Sequence, residues 1–178
     1  MASAIDRTPG PVLTDREQLV LTRASFGPTA EVRRDLLEAG WEAWLDGQLD
    51  PATVDDSAVE EQVAGYETLA MTNAELGTLR RNQVGQEADQ RIFGELMHNT
   101  FLRATSSRRQ LYEVLVDLWT NHLNVYLLDE GQFRHLHVES DQRVIRPHAL
   151  GRFADLLSAS VHSPAMLVYL DNYRSNAN

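Results

Sequence analysis

The side chains able to do chemistry in this sequence are six histidines, sixteen cationic residues that are all arginine, and a surplus of carboxylates. His122 stands at helical spacing behind Leu111, Val114, Leu115, Leu118 and Trp119, with Asn121 beside it. An imidazole set on an apolar helix face needs a polar partner for each ring nitrogen. The position therefore reads as a metal ligand, a general base, a haem ligand, or a core histidine bonded to a neighbouring helix.

Arg146-Pro147-His148 places a guanidinium and an imidazole where proline signals the first turn of a helix. Free N–H groups at such an end favour a carboxylate, a phosphate or a sulfate ester. The competing expectation is an ion pair from Arg146 to Asp141, Asp155 or Asp171. Asp171-Asn172 closes the last recognisable helix, either as part of a polar cleft or as ordinary helix-end residues. Glu95-x-x-His98 has the spacing of di-iron helices, but no other histidine has a glutamate three residues before it, so the second half of such a site is missing. His135-x-His137 offers two imidazoles, too few for a metal centre on their own.

Other chemistries are excluded by composition. Without cysteine there is no thiolate nucleophile, disulfide or Cys-based zinc or iron–sulfur site. Without lysine there is no Schiff base and no P-loop lysine. No Gly-x-Ser-x-Gly elbow is present. The formal charge of −10 opposes binding to nucleic acid or to an anionic membrane. No stretch approaches the ~20 apolar residues that a membrane span requires. The N-terminal segment has no apolar export core, so the sequence as it stands reads as cytoplasmic.

The elements that must position these residues are helical throughout. Residues 1–13 read as a flexible arm interrupted by Pro9-Gly10-Pro11, and residues 14–178 as a single helical domain. Thr14-Asp15-Arg16-Glu17 is a capping box, Thr29 caps a second helix that Gly40 ends, and Trp41, Trp44, Leu45 and Leu49 follow at helical spacing. Residues 55–69 read as an acidic, more exposed helix. Thr72-Asn73-Ala74-Glu75 opens a long helix expected to bend or break near Gly85. Arg108 to Tyr126 is the strongest helix, with a stripe of Leu111, Val114, Leu115, Leu118, Trp119, His122, Val125 and Tyr126 turned to the core. Residues 128–140 read as a loop. Pro147 then opens a helix carrying Leu150, Phe153, Leu156, Leu157 and Val161. With no run of period two, the fold class is all-α, an irregular multi-helix array.

Three segments carry a resemblance. LTRASFGPTAEVRRDLLEAGWEAWLDGQLDP (residues 21–51), LYEVLVDLWTNHLNV (111–125) and RVIRPHALGRFADLLSASVHSPAMLVYLDN (143–172) together resemble the N-terminal portion of the bacterial family of domain of unknown function 1800 (DUF1800). The acidic stretch over residues 55–85 carries none of the likeness. The resemblance implies a longer domain, continuing past Asn172 through an Asn-Glu-Asn-Tyr-Ala-Arg-Glu-Leu segment into further helices, so that the array here is truncated. It also implies export in many relatives and a separately encoded sulfatase-like partner.

Two function classes follow. One is the N-terminal part of a metal- or haem-assisted enzyme, with His122, Arg146 and His148 as catalytic candidates, His122 as the metal candidate, and Asn121, Asp171 and Asn172 as further polar residues of the cleft. The other is a helical binding or scaffolding module that docks the sulfatase-like protein, in which the same residues are structural.

Overall fold

The computed structural model describes residues 12–82, 85–126 and 133–175. Among them every regular element is helical, as the all-α reading expects. Most of the proposed arm (residues 1–11) and the first part of the proposed loop (residues 128–132), Gly131 included, lie outside the described residues.

Local capping chemistry starts the first helices where expected. Thr14 N–H donates to Glu17 Oε2 at 2.7 Å and Glu17 N–H donates back to Thr14 Oγ1, closing the box at the head of α1 (Asp15–Ala24). Thr29 Oγ1 accepts from Val32 N–H at α2 (Ala30–Ala39). Gly40, at φ +80°, takes the chain straight into α3 (Trp41–Leu49); a side chain there would be strained. Leu21, Ala24, Val32, Leu36 and Trp44 form the core of this corner.

A 3-10 turn (Pro51–Thr53) leads to the acidic stretch, which forms α4 (Ser57–Val63) and α5 (Glu67–Ala70). The second capping box is formed, Thr72 N–H donating to Glu75 Oε2 at 2.7 Å at the start of α6 (Asn73–Asn82). α6 and α7 (Gly85–Ser106) fold back on each other, Leu76 and Ile92 sharing one core, as the expected break near Gly85 requires; residues 83–84 lie outside the described residues. Leu69, Leu76, Ile92 and Val138 make a second core beneath these helices.

The strongest helix, α8 (Gln110–His122), is shorter than expected and is rotated about its axis. Its most buried residues are Gln110, Glu113 and Val116; of the predicted stripe, Leu111, Leu115 and Trp119 pack against the cores and Val125 is buried, whereas Leu118 and Tyr126 are 50% and 51% exposed. The physical reason lies in the partners. Gln110 Oε1 accepts from Phe26 N–H, its amide donates to Ser107 O, and Glu113 faces two arginines, so these polar groups are satisfied inside and take the inner face. Buried Gln48 and Asp56 clasp the α7–α8 turn. Gln48 bonds Leu111 N–H and Arg108 O, and Asp56 accepts from Ser107 Oγ and Arg108 N–H.

Pro147 does not open a helix. Leu136 starts a helix inside the proposed loop, α9 (Leu136–Glu139), which widens into a π-helical stretch (Ser140–Ile145) and ends in α10 (Arg146–His148). Pro147 therefore lies near the end of a continuous helical run and not at a free helix start. A proline inside a helix clashes with the carbonyl four residues back and lacks an N–H; the wider turn just before it, with Arg146 N–H bonded to Asp141 O, accommodates both defects. The next helix, α11 (Phe153–Val161), begins only after a turn at residues 149–152. Ser163 caps α12 (Pro164–Tyr169), as the Ser-Pro pair predicted. Val116, Val144, Ile145, Ala149 and Leu156 form the core that holds the π stretch against α8. No helix among the described residues is long and apolar enough to cross a membrane.

Candidate functional site

The inner face of α8 carries a carboxylate between two arginines. Arg146 Nη1 lies 3.0 Å from both Glu113 oxygens, and its Nε donates to Asp141 Oδ2 at 3.0 Å. Arg103, on α7, comes within 3.6 Å of Glu113 and makes a two-pronged pair with Glu60 of α4 at 3.0 and 2.9 Å. Arg103 Nε donates to Asn99, a residue with no exposure at all. Arg109, at the head of α8, reaches the same Glu60 at 3.3 Å and bonds Val54 O. Three cations and three carboxylates from α4, α7, α8, the π stretch and α10 thus form one chain of charge-assisted bonds. Tyr112 closes it, its hydroxyl donating to Arg146 O at 2.8 Å.

The electrostatics are those of a satisfied network. Burial would lower the Arg146 pKa, but Asp141 and Glu113 more than offset this and hold the guanidinium charged. The bond from Arg103 holds the Glu60 carboxyl below its ordinary range against the opposing effect of burial. Burial pushes the Tyr112 hydroxyl up.

Beside the network lies an open cleft of about 470 Å³ lined by Arg103, Arg109, Arg146, Glu60 and Tyr112, with Leu49, Pro51, Ala52, Pro147, Leu150 and Gly151 as its other walls. Three of its four charged lining residues are cationic, in a chain whose overall charge is −10. Arg146 is only 7% exposed. Its Nε and Nη1 are taken by carboxylates, whereas its Nη2 has no acceptor among the described residues. Arg109 is in the same state, with Nε and Nη1 bonded and Nη2 without an acceptor.

Of the residues that sequence reasoning selected, only Arg146 lines this cleft. Its pairing with Asp141 was one of the expected partners; Glu113 was not among them. His122 is exposed, not buried, because α8 turns its Gln110–Glu113–Val116 side inward; its ring stands edge-on to Trp119 at 5.9 Å. His148 is half-buried and its Nδ1 donates to Val144 O at 2.7 Å, a bond within its own helix. Among the described residues no hydrogen bond or ring contact joins His122 to Arg146 or His148, so the three do not form one cluster. Asn121 is exposed and caps back onto Asp117 O. Asp171 and Asn172 are exposed at a tight turn, with Asp171 at φ +56° and 3.6 Å from Arg174. Glu95 is engaged by Arg91 and by both donors of Thr68. No group of three or more potential metal ligands occurs among the described residues.

Glu60, Arg103 and Glu113 were not selected from the sequence. The one available signal was Glu113 itself, a carboxylate set among the apolar residues of the strongest helix, which needs a cation wherever it is buried.

His137, from the other histidine pair, has a separate consequence. Its Nε2 is buried without a hydrogen-bond partner among the described residues, and burial lowers its pKa from the ordinary 6.5. The unfolded chain therefore takes up a proton near 6.5 that the folded protein resists, and stability is lost as pH falls from there toward the folded value. Replacing His137 by glutamine should flatten this part of the profile. Melting temperatures at pH 7.5 and pH 5 test it: an equal drop in both proteins would contradict the assignment.

An all-helical array built around a buried arginine–carboxylate core, with a cationic cleft at its side, is the class that fold and site define. The chain belongs to the family described as protein of unknown function (DUF1800), whose model matches residues 19–178. No curated protein and no solved structure matches it.

Proposed function

We propose that the chain is a helical binding module, and that its ligand site is the cleft at Arg109 and Arg146, which accepts an anionic group. The observation that carries this reading is that Arg109 and Arg146 line a single cleft, each with an Nη2 that has no acceptor among the described residues. Neither Nη2 is among the buried side-chain atoms without a partner, so both are open to solvent, and an oxyanion bridging the two would take the place of water there with charge-assisted bonds.

Binding is favoured over catalysis by the protonation states. A general acid or base works best with a pKa near the operating pH. Glu60 is held low, Tyr112 is pushed up, and no histidine is among the residues lining the cleft. The metal- or haem-assisted reading of His122 draws no support from its exposed position. Docking of a sulfatase-like protein remains an implication of the resemblance alone.

The test is thermal unfolding at constant ionic strength, exchanging chloride for phosphate. A ligand bound only by the folded state raises the midpoint with the logarithm of its concentration. The expected result is such a rise in the wild type and its loss in Arg109→Ala, a residue at the edge of the network. Identical midpoints in phosphate and chloride would overturn the proposal.

A further inference from the structure

The composition of the cleft's walls says more about what enters it. We infer, resting on the anion-binding reading above, that the ligand is a small organic acid with an apolar body, its oxyanion head on Arg109 and Arg146 and its body against Leu49, Pro51, Pro147 and Leu150. A lone inorganic anion makes no use of such walls. Leu49 is 56% exposed at the end of α3, beside cations where bare apolar surface gains nothing from solvent. Pro51 follows it directly into the 3-10 turn, and Pro147 and Leu150 come from the far end of the chain. These two segments, nearly a hundred positions apart, bring rigid apolar surface to the same cleft as the two guanidinium ends.

Apolar walls with a few placed polar groups are the usual make-up of small-molecule sites, and about 470 Å³ falls within their ~300–1,000 Å³ range. The head carries the specificity for charge, because planar guanidinium edges match the oxygens of a carboxylate or of a sulfate or phosphate ester. The body contributes the affinity, in proportion to the apolar area it removes from water. The neutral hydroxyl of Tyr112, already spent on Arg146 O, adds no negative charge against the head.

Calorimetric titration of the whole chain with acetate, butanoate, hexanoate and octanoate, and separately with inorganic phosphate and octyl sulfate, tests this. Affinity should tighten on the order of threefold to fourfold per methylene until the body outgrows the cleft. Leu49→Ser should weaken octanoate by several-fold more than acetate, and Arg109→Ala should weaken every anion. Octyl sulfate binding with octanoate-like affinity would mark the head as a general oxyanion; much weaker binding would restrict it to carboxylates, within the same inference. Phosphate or acetate binding as tightly as octanoate would overturn the apolar body while leaving the anion site standing. Failure of every anion to bind would remove both. Chain-length dependence retained in full by Leu49→Ser, together with undiminished affinity in Arg109→Ala, would place the binding elsewhere and overturn the inference.

Discussion

Glu113→Ala is expected to lose about 3–5 kcal/mol of unfolding free energy, the usual cost of removing one partner from a buried ion pair. Glu113 is 4% exposed and faces both Arg146 and Arg103. Its removal strips Arg146 Nη1 of both acceptors and leaves only Asp141 to balance that guanidinium. Urea unfolding followed by circular dichroism reads the change as a lower midpoint at an unaltered slope. If the alanine variant does not fold, Glu113→Gln keeps the volume and one acceptor and should lie between it and the wild type. A loss below ~1 kcal/mol, the range of exposed pairs, would mean that the network is not buried as described.

Leu156→Ala is expected to cost about 2–5 kcal/mol, whereas Leu157→Ala, one position on, should cost well under half of that. Leu156 is 1% exposed and packs with Val116, Val144, Ile145 and Ala149, the cluster that seats the π stretch on α8. Leu157 is 40% exposed, in line along α11 with Phe153 at 50% and Val161 at 49%. Truncating Leu156 leaves a cavity beneath the residues that aim Arg146 and Asp141; truncating Leu157 trims a surface. Equal losses would show that the two leucines share the core, contrary to the observed packing.

That pair of leucines also shows where the sequence was legible. Periodicity placed Phe153, Leu156, Leu157 and Val161 on one helix, as observed, though it opened that helix at Pro147 and included Leu150; it ranked Leu156 and Leu157 alike because spacing cannot say which apolar flank meets a neighbour. The caps at Thr14, Thr29, Thr72 and Ser163, the stop at Gly40 and the break near Gly85 were readable because each depends on bonds within a few residues. The family was likewise readable from three segments of the chain.

The orientation of α8 was not. Its stripe of apolar residues pointed to one face, while partners from the turn between α1 and α2, from α7 and from α10 drew Gln110 and Glu113 to the inside. The expectation that His122 is buried failed with that rotation. Arg146 was found for a reason the structure replaces: Pro147 suggested a free helix start, and the residue instead earns its place through a π turn that carries it back to Asp141 and Glu113. Arg103 and Glu60 left no local signal, since their pairing joins positions 43 residues apart.

The central claim is that one anion is held by Arg109 and Arg146 together. Nitrogen-15 NMR of the arginine Nε–H groups, recorded while phosphate replaces chloride at fixed ionic strength, tests it most directly. The account predicts that the resonances of Arg109 and Arg146 move together along one saturable curve, while exposed Arg34, with 58% of its side chain in solvent, stays put. Shifts that grow linearly at Arg34 and leave Arg146 unmoved would contradict it.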